Sequence, residues 1–424
     1  MADRRVRGLT LILVATAIAG VGGYAITTVA ARGLGPEGYA TFAVFWAALY
    51  FVVGSVAGIQ QETTRASRPG PSRNGHVLSK LIGGVTVVLA ILLVALVAVA
   101  ERSLFPKEGW ALGAPLIVGS LASISVATIT GLLYGVRAWR TLAVVIIGDV
   151  ALRLVGVSLV FLLHGDVVLV AWATVVPWVV VAIGLAVALQ RGRHLRASLD
   201  VGLGPLAINV AQTIAGGVGI SLLVSGFPLF IRLFSAEQDA ASVGVLVYAL
   251  ILTRAPLVVS VLALQSYLVV FLRDRAGHLA RTVLELLGGL ILIGVLLAVL
   301  AALVGPWLIT ALAGEGFAVT PLVLALLVLV SMATAGLAVT GSAVLARGLH
   351  GWYVAGWTVA AVLSVALLAV PGDLTTRVIV ALAAGPLAGI GVHLTALRRK
   401  GASPSSDAEQ APTPPARRDP SPTP

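Results

Sequence analysis

The sequence predicts an all-α integral membrane protein, with twelve transmembrane helices in two parallel, pseudo-symmetric six-helix lobes around a central cavity, N-in and C-in. Three observations carry this. The 424-residue chain is 59% hydrophobic and 11% charged, where soluble domains average about 25% charged. Its apolar segments, such as Val85–Ala100 with their flanks, exceed the roughly 20 residues that cross a bilayer. The first segment also recurs in the middle of the chain.

The segments are read as helix because a backbone without water must satisfy itself, and barrel strands would alternate in polarity where these do not. Arg4-Arg5-Val6-Arg7 precedes an apolar run from 8 to 31. That run is longer than a secretory h-region of about 7–15 residues, so it is expected as an uncleaved first span. The others are expected near 39–60, 78–100, 111–133, 141–163, 167–189, 203–228, 243–270, 283–304, 319–343, 352–370 and 378–396. With the N-terminus inside, 18 Lys/Arg fall in cytoplasmic loops and flanks and five (Arg32, Arg102, Lys107, Arg232, Arg377) outside. The positive-inside rule then places both termini in the cytoplasm of a multi-pass inner (plasma) membrane protein. The outer loops carry mostly acids and are too short to form a domain.

The connection 190–202, with Arg191, Arg193 and Arg196, divides the chain into an N-terminal lobe, 1–200, and a C-terminal lobe, 201–400. A shift of 196 residues matches 8 of 16 positions between Gly8–Gly23 and Gly204–Gly219. Six spans separate the copies, so they share an orientation, as in transporters whose halves rock about a central site. Residues 401–424 are rich in Pro and Ser and are expected to form a disordered cytoplasmic tail.

Composition also excludes functions. The net charge of +11 is scattered through short loops rather than gathered on one face, which argues against a nucleic-acid partner. With no cysteine, and six histidines never at ligand spacing, no metal site is expected. Gly33-Leu34-Gly35-Pro36-Glu37-Gly38 fits G-x-G-x-x-G in letters. It lacks the strand and βαβ unit that a nucleotide fingerprint needs, and reads as a tight turn in which Pro36 starts the second span. No cofactor is expected.

Arg32-x-Leu34-Gly35-Pro36-Glu37-x-Tyr39, then Phe42, Trp46 and a helix closing on Gln60-Gln61-Glu62-Thr63-Thr64-Arg65, resembles the lipid-linked oligosaccharide flippases. These form the polysaccharide-exporter branch of the multidrug/oligosaccharidyl-lipid/polysaccharide transporter superfamily. The resemblance implies alternating access and a polyprenyl-diphosphate-linked sugar chain moved from the cytoplasmic to the outer leaflet. One departure is visible: the first span has no charge in its interior, where some relatives carry cations.

Arg254, mid-way along the eighth span, is the foremost cavity candidate. An arginine at that depth costs roughly 2.5–3.5 kcal/mol and usually faces a bundle interior or wet cavity, and a guanidinium suits bidentate phosphate binding. The alternative is that it ties helices together through carbonyls. Asn209, Gln212, Gln60 and Gln265 are further cavity candidates, since buried amides bond either neighbouring helices or sugar hydroxyls. Asp149 and Arg153, four apart, form either a structural ion pair or a proton- or Na⁺-coupling site. Arg65 and Arg68 are candidates for attracting an anionic headgroup at the cytoplasmic surface.

The expected function is transport of a lipid-linked glycan, with the bilayer and glycan-assembly enzymes as partners. The alternative on the same fold is a cation-coupled small-molecule exporter. A membrane glycosyltransferase or polymerase would need a catalytic carboxylate in a sizeable outer loop, which is missing, so no enzyme is expected. An assembly scaffold, which needs no cavity charge, is the remaining class.

Overall fold

The computed structural model describes residues 2–69, 75–190, 197–199, 202–235 and 238–399. The expected tail and Arg73, Arg191, Arg193 and Arg196 lie outside the described residues. Eleven helices among those described are long and apolar enough to cross a membrane, and the first holds two spans. Helix α1 runs Ala2–Ala66, 65 residues. Straight, it would measure about 100 Å at 1.5 Å per residue, more than three hydrocarbon thicknesses. It breaks at Gly35, where φ is 66° and ψ 177°. That is backbone that essentially only glycine adopts, and Pro36 beyond it suits a helix start.

The neighbours of α1 show that the chain reverses there. Helices α2 (Gly75–Leu104), α3 (Trp110–Gly135), α4 (Trp139–Leu162) and α5 (Val167–Gln190) follow. Gly8, Gly22 and Gly33 of the first limb pack in order on Trp139, Val150 and Phe161 of α4, so limb and helix run parallel. Leu49, Gln60 and Ser67 meet Gly119, Gly131 and Gly135 of α3 in the same sense. The short turn between Gly135 and Trp139 makes α3 and α4 antiparallel, so the limbs of α1 are antiparallel too. The bundle therefore has a kink end, at Gly35, and an opposite end.

That opposite end holds the one departure from an all-helical chain among the described residues. Strand β1 (Ser67–Pro69) pairs antiparallel with β2 (Ala197–Leu199), Arg68 opposite Ser198. This strand end ties the close of α1 to the connection before the second half. There, α6 (Leu203–Ser221) passes through a π-turn, Leu222–Gly226, into α7 (Phe227–Leu233). Helix α8 (Ala240–Ala263) is capped by Asp239, which accepts from the Ser242 amide at 3.0 Å. Then come α9 (Gln265–Arg273), α10 (Leu279–Ala313), α11 (Pro321–Ala346), α12 (His350–Leu368) and α13 (Leu374–Arg399). In their most apolar windows α3 and α11 are 67% buried, while α2 and α10 are 11% buried. The former are the central helices and the latter present their apolar sides outward.

Candidate functional site

The two limbs of α1 meet the second half differently, and the difference shapes the site. The second limb is held along its length. Pro36 abuts Gly244 of α8 so closely that no Cβ would fit. Farther along, Phe51, Gly54 and Gly58 pack on Gly226, Ser221 and the Thr213–Ile214 backbone. At the kink end an aromatic plug seals the junction. Tyr39, Tyr248 and Phe317 are all buried, with ring centroids 5.2–5.8 Å apart in edge-on contacts. Such contacts are favoured by the ring quadrupoles.

The first limb touches α8 near that plug, where Thr28 Oγ1 lies 3.1 Å from Tyr248 Oη. Positions 21, 17 and 14 continue the same helical face. All three are exposed, Val21 by 71%. On α8, exposure rises along one ridge from buried Tyr248 through half-buried Leu252 to exposed Pro256. Exposure on both helices thus rises from the plug toward the strand end, and the space between the first limb and α8 is the candidate cleft.

Two arginines are buried beside this cleft. Arg153 is 2% exposed and fully engaged in the first half. Its Nη2 donates to Asp149 Oδ2 at 2.7 Å and to Oδ1 at 2.8 Å, and its Nη1 to Tyr50 Oη at 2.6 Å. Its guanidinium lies 3.9 Å from the Trp178 ring centroid, and Tyr50 stacks on Trp46. Asp149 is 30% exposed, so the carboxylate is the accessible member of the pair.

Arg254, in the second half, is 4% exposed. Its Nη1 donates to the Leu223 carbonyl in the π-turn at 2.5 Å, and its Nη2 reaches Thr334 Oγ1 at 3.3 Å. No carboxylate pairs with it among the described residues, and Nε has no partner. The expectation of an arginine projecting into a solvated chamber is not met in this conformation. The guanidinium instead braces a helical turn whose widened hydrogen-bond pattern frees a carbonyl, so it ties α8 to the π-turn after α6.

The chain is 33% identical over 395 residues to uncharacterized protein Mb3654 of Mycobacterium bovis, across 91% of this chain and 90% of that one. It is 32% identical over 397 residues to uncharacterized protein Rv1510 of Mycobacterium tuberculosis, with the same two coverages of 91% and 90%. The chain belongs to the family of these mycobacterial proteins. No protein-family model matches it. Among solved structures it is similar to the inward-facing conformation of a multidrug resistance MATE family transporter of the MOP superfamily. The TM-score is 0.67 at 15% identity, over 91% of this chain and 95% of that one. An outward-facing conformation described in the same words scores 0.55 at 15% identity, over 93% of each chain. Lipid II flippase MurJ, in an inward closed conformation, scores 0.63 at 11% identity, over 92% of this chain and 87% of that one. The chain has the fold of these MOP-superfamily proteins.

Within that fold the remaining candidates separate. Gln60 accepts from Thr130 Oγ1 at 3.2 Å and so bonds α3. Gln265 donates to Tyr353 Oη at 2.9 Å and so bonds α12. The side chains of Asn209 and Gln212 make no hydrogen bond among the described residues; the first is half-buried and the second exposed. Arg65 is exposed and paired with Glu62 at 2.8 Å, and Arg68, also exposed, donates to the Arg65 carbonyl at 3.0 Å.

Sequence reasoning missed His393, which is wholly buried between Thr340 and Tyr353. Histidine spacing, which tests for metal ligation, gives no sign of it. Its place within an apolar span was the available signal.

Proposed function

We propose that this chain is an alternating-access transporter of a polyprenyl-diphosphate-linked oligosaccharide, or a related cell-surface glycan precursor, across the inner (plasma) membrane. The carrying observation is the face of the first limb of α1 that is closed at Tyr248 and exposed at Val21, Ala17 and Val14. The sequence puts 18 Lys/Arg in the connections and flanks read as cytoplasmic and five in those read as outside. Among the described residues the former, such as Arg68, Arg137 and Arg347, lie at the strand end, so that opening faces the cytoplasm, where such a substrate would load. The higher similarity to an inward-facing than to an outward-facing conformation supports the same sense.

The likeness to a lipid II flippase supports a lipid-linked cargo. So does the charge in the second half, where the buried Arg254 has no carboxylate beside it. Contact between Arg254 and a diphosphate requires its bond to Leu223 to break, which movement of α8 against α6 would provide. Arg65 and Arg68 would gather the anionic headgroup at the surface, and glycan-assembly enzymes would supply it.

Deletion of the gene tests the reading. Accumulation of lipid-linked precursor with loss of an envelope glycan is expected, restored by the wild-type chain but not by Arg254→Ala. Unchanged glycans and precursors would sink it. A second reading, a cation-coupled small-molecule exporter, draws on the partly exposed Asp149 and the multidrug-transporter fold. It expects drug sensitivity on deletion, reproduced by Asp149→Asn.

A further inference from the structure

We infer that His393 is a proton-binding site through which the second half of the chain responds to the proton, making H⁺ the coupling ion. This rests on the transporter reading above, not on the identity of the cargo. The imidazole sits in a socket between three helices. A side chain at Gly356 of α12 would clash with Nε2, and Gly341 of α11 packs against Cε1 and the Tyr353 ring. Its Nδ1 lies 3.1 Å from Thr340 Oγ1, and its Nε2 lies 3.3 Å from the Tyr353 carbonyl. Thr340 Oγ1 is also 3.1 Å from the carbonyls of both Gly336 and Leu337.

These distances let the socket hold either protonation state with no bond lost. In the neutral state Nε2–H donates to the Tyr353 carbonyl and the Thr340 hydroxyl donates to the Nδ1 lone pair. When a proton from water at the strand end adds to Nδ1, Nδ1–H donates to Thr340 Oγ1. The hydroxyl hydrogen then turns to the Gly336 or Leu337 carbonyl. One hydroxyl rotation accommodates the proton, and the site gains one positive charge. A histidine placed only for packing needs one such arrangement, whereas this one has two.

Nothing in the socket neutralises the added charge. From α11 the neighbours are Thr340 and glycines, and Arg347 lies beyond, on the Leu397 carbonyl. From α12 the titratable group is Tyr353, whose ring stacks on the imidazole at 6.3 Å. On α13 itself the next charges are Arg398 and Arg399, toward the helix end. No carboxylate faces His393 among the described residues. A charge held without a counter-ion favours any rearrangement that admits water. Tyr353 passes the strain on, because its hydroxyl fastens Gln265 at the break between α8 and α9, the helices bordering the cleft.

The test uses the full chain in lipid nanodiscs with ¹⁵N-labelled histidine. His393 is assigned by the signals lost in His393→Gln, or in His393→Asn should the first variant misfold. The expected result is reversible protonation of His393 within the pH range over which the chain stays folded. A single protonation state throughout would overturn the inference. In parallel, a lone cysteine in place of Val21, in a chain otherwise without cysteine, reports cleft opening by thiol labelling. Labelling rates are divided at each pH by that of the same cysteine in the denatured chain, which removes the thiolate's own pH dependence. This ratio should change with pH in an otherwise wild-type chain and in Asp149→Asn, and become independent of pH in His393→Gln. Titration of His393 without a change in labelling would equally overturn coupling. Neither measurement involves a glycan, so a failure here is distinct from a failure of the proposed cargo.

Discussion

The limbs of α1 leave Gly35 together and end up with different surroundings. The second limb carries Tyr39, Phe42 and Trp46 and is clasped by α8 and then α6. The first carries small residues and aliphatics and is hydrogen-bonded to the other half near the kink end, at Thr28 and Arg32. From Pro36 on Gly244 to Gly58 on Ile214 the clasped contact extends for about 33 Å, at 1.5 Å per residue of helix. A limb gripped that far can act as a pivot. A limb gripped at one end acts as a gate, because breaking a single cluster frees it.

The sharpest way to break this contrast is at Gly244, where the Pro36 carbonyl leaves no space for a side chain. Overpacking costs about 1–3 kcal/mol, so Gly244→Leu is expected to shift the gate by up to roughly a hundredfold. It should appear as faster labelling of a cysteine at position 28 by an impermeant reagent added from the kink-end side. Next in size is the gradient along the first limb. Cysteines at 14, 17 and 21 should label from the strand-end side at least about tenfold faster than one at 28, a ratio that corresponds to ~1.4 kcal/mol. A flat profile would remove the gate.

A smaller effect is expected for Tyr248→Phe, which deletes the bond to Thr28. A hydrogen bond of about 1 kcal/mol predicts roughly fivefold faster kink-end labelling at position 28. The smallest belongs to the surface pair Lys107–Glu37, 2.7 Å apart but 76% and 64% exposed. Lys107→Met should leave labelling and thermal stability unchanged, because water screens such pairs. A large effect there would move the gate out to the Pro36 loop.

Much of this was legible in the residues. The spans follow from hydropathy and length, the Gly35 turn from glycine and proline chemistry, and the Asp149–Arg153 pair from a spacing of four. The fate of Arg254 was not, because depth in a membrane says that a charge needs a partner without saying which. Here a carbonyl freed by a π-turn at Leu223, 31 positions away, serves as that partner. His393 escaped for the same reason. Its two hydrogen-bond partners come from α11 and α12, helices that approach it only once the chain has folded.

By itself, then, the sequence determined that this chain enters a bilayer as helices and turns back at Gly35. Those outcomes depend on local backbone satisfaction and on transfer from water, which each segment settles alone. Only the tertiary structure decided which limb is clasped, where the cleft opens, and whether a buried cation meets a carboxylate or a carbonyl. Such outcomes depend on the approach of distant helices, and apolar spans of similar composition carry little in their own residues to specify it.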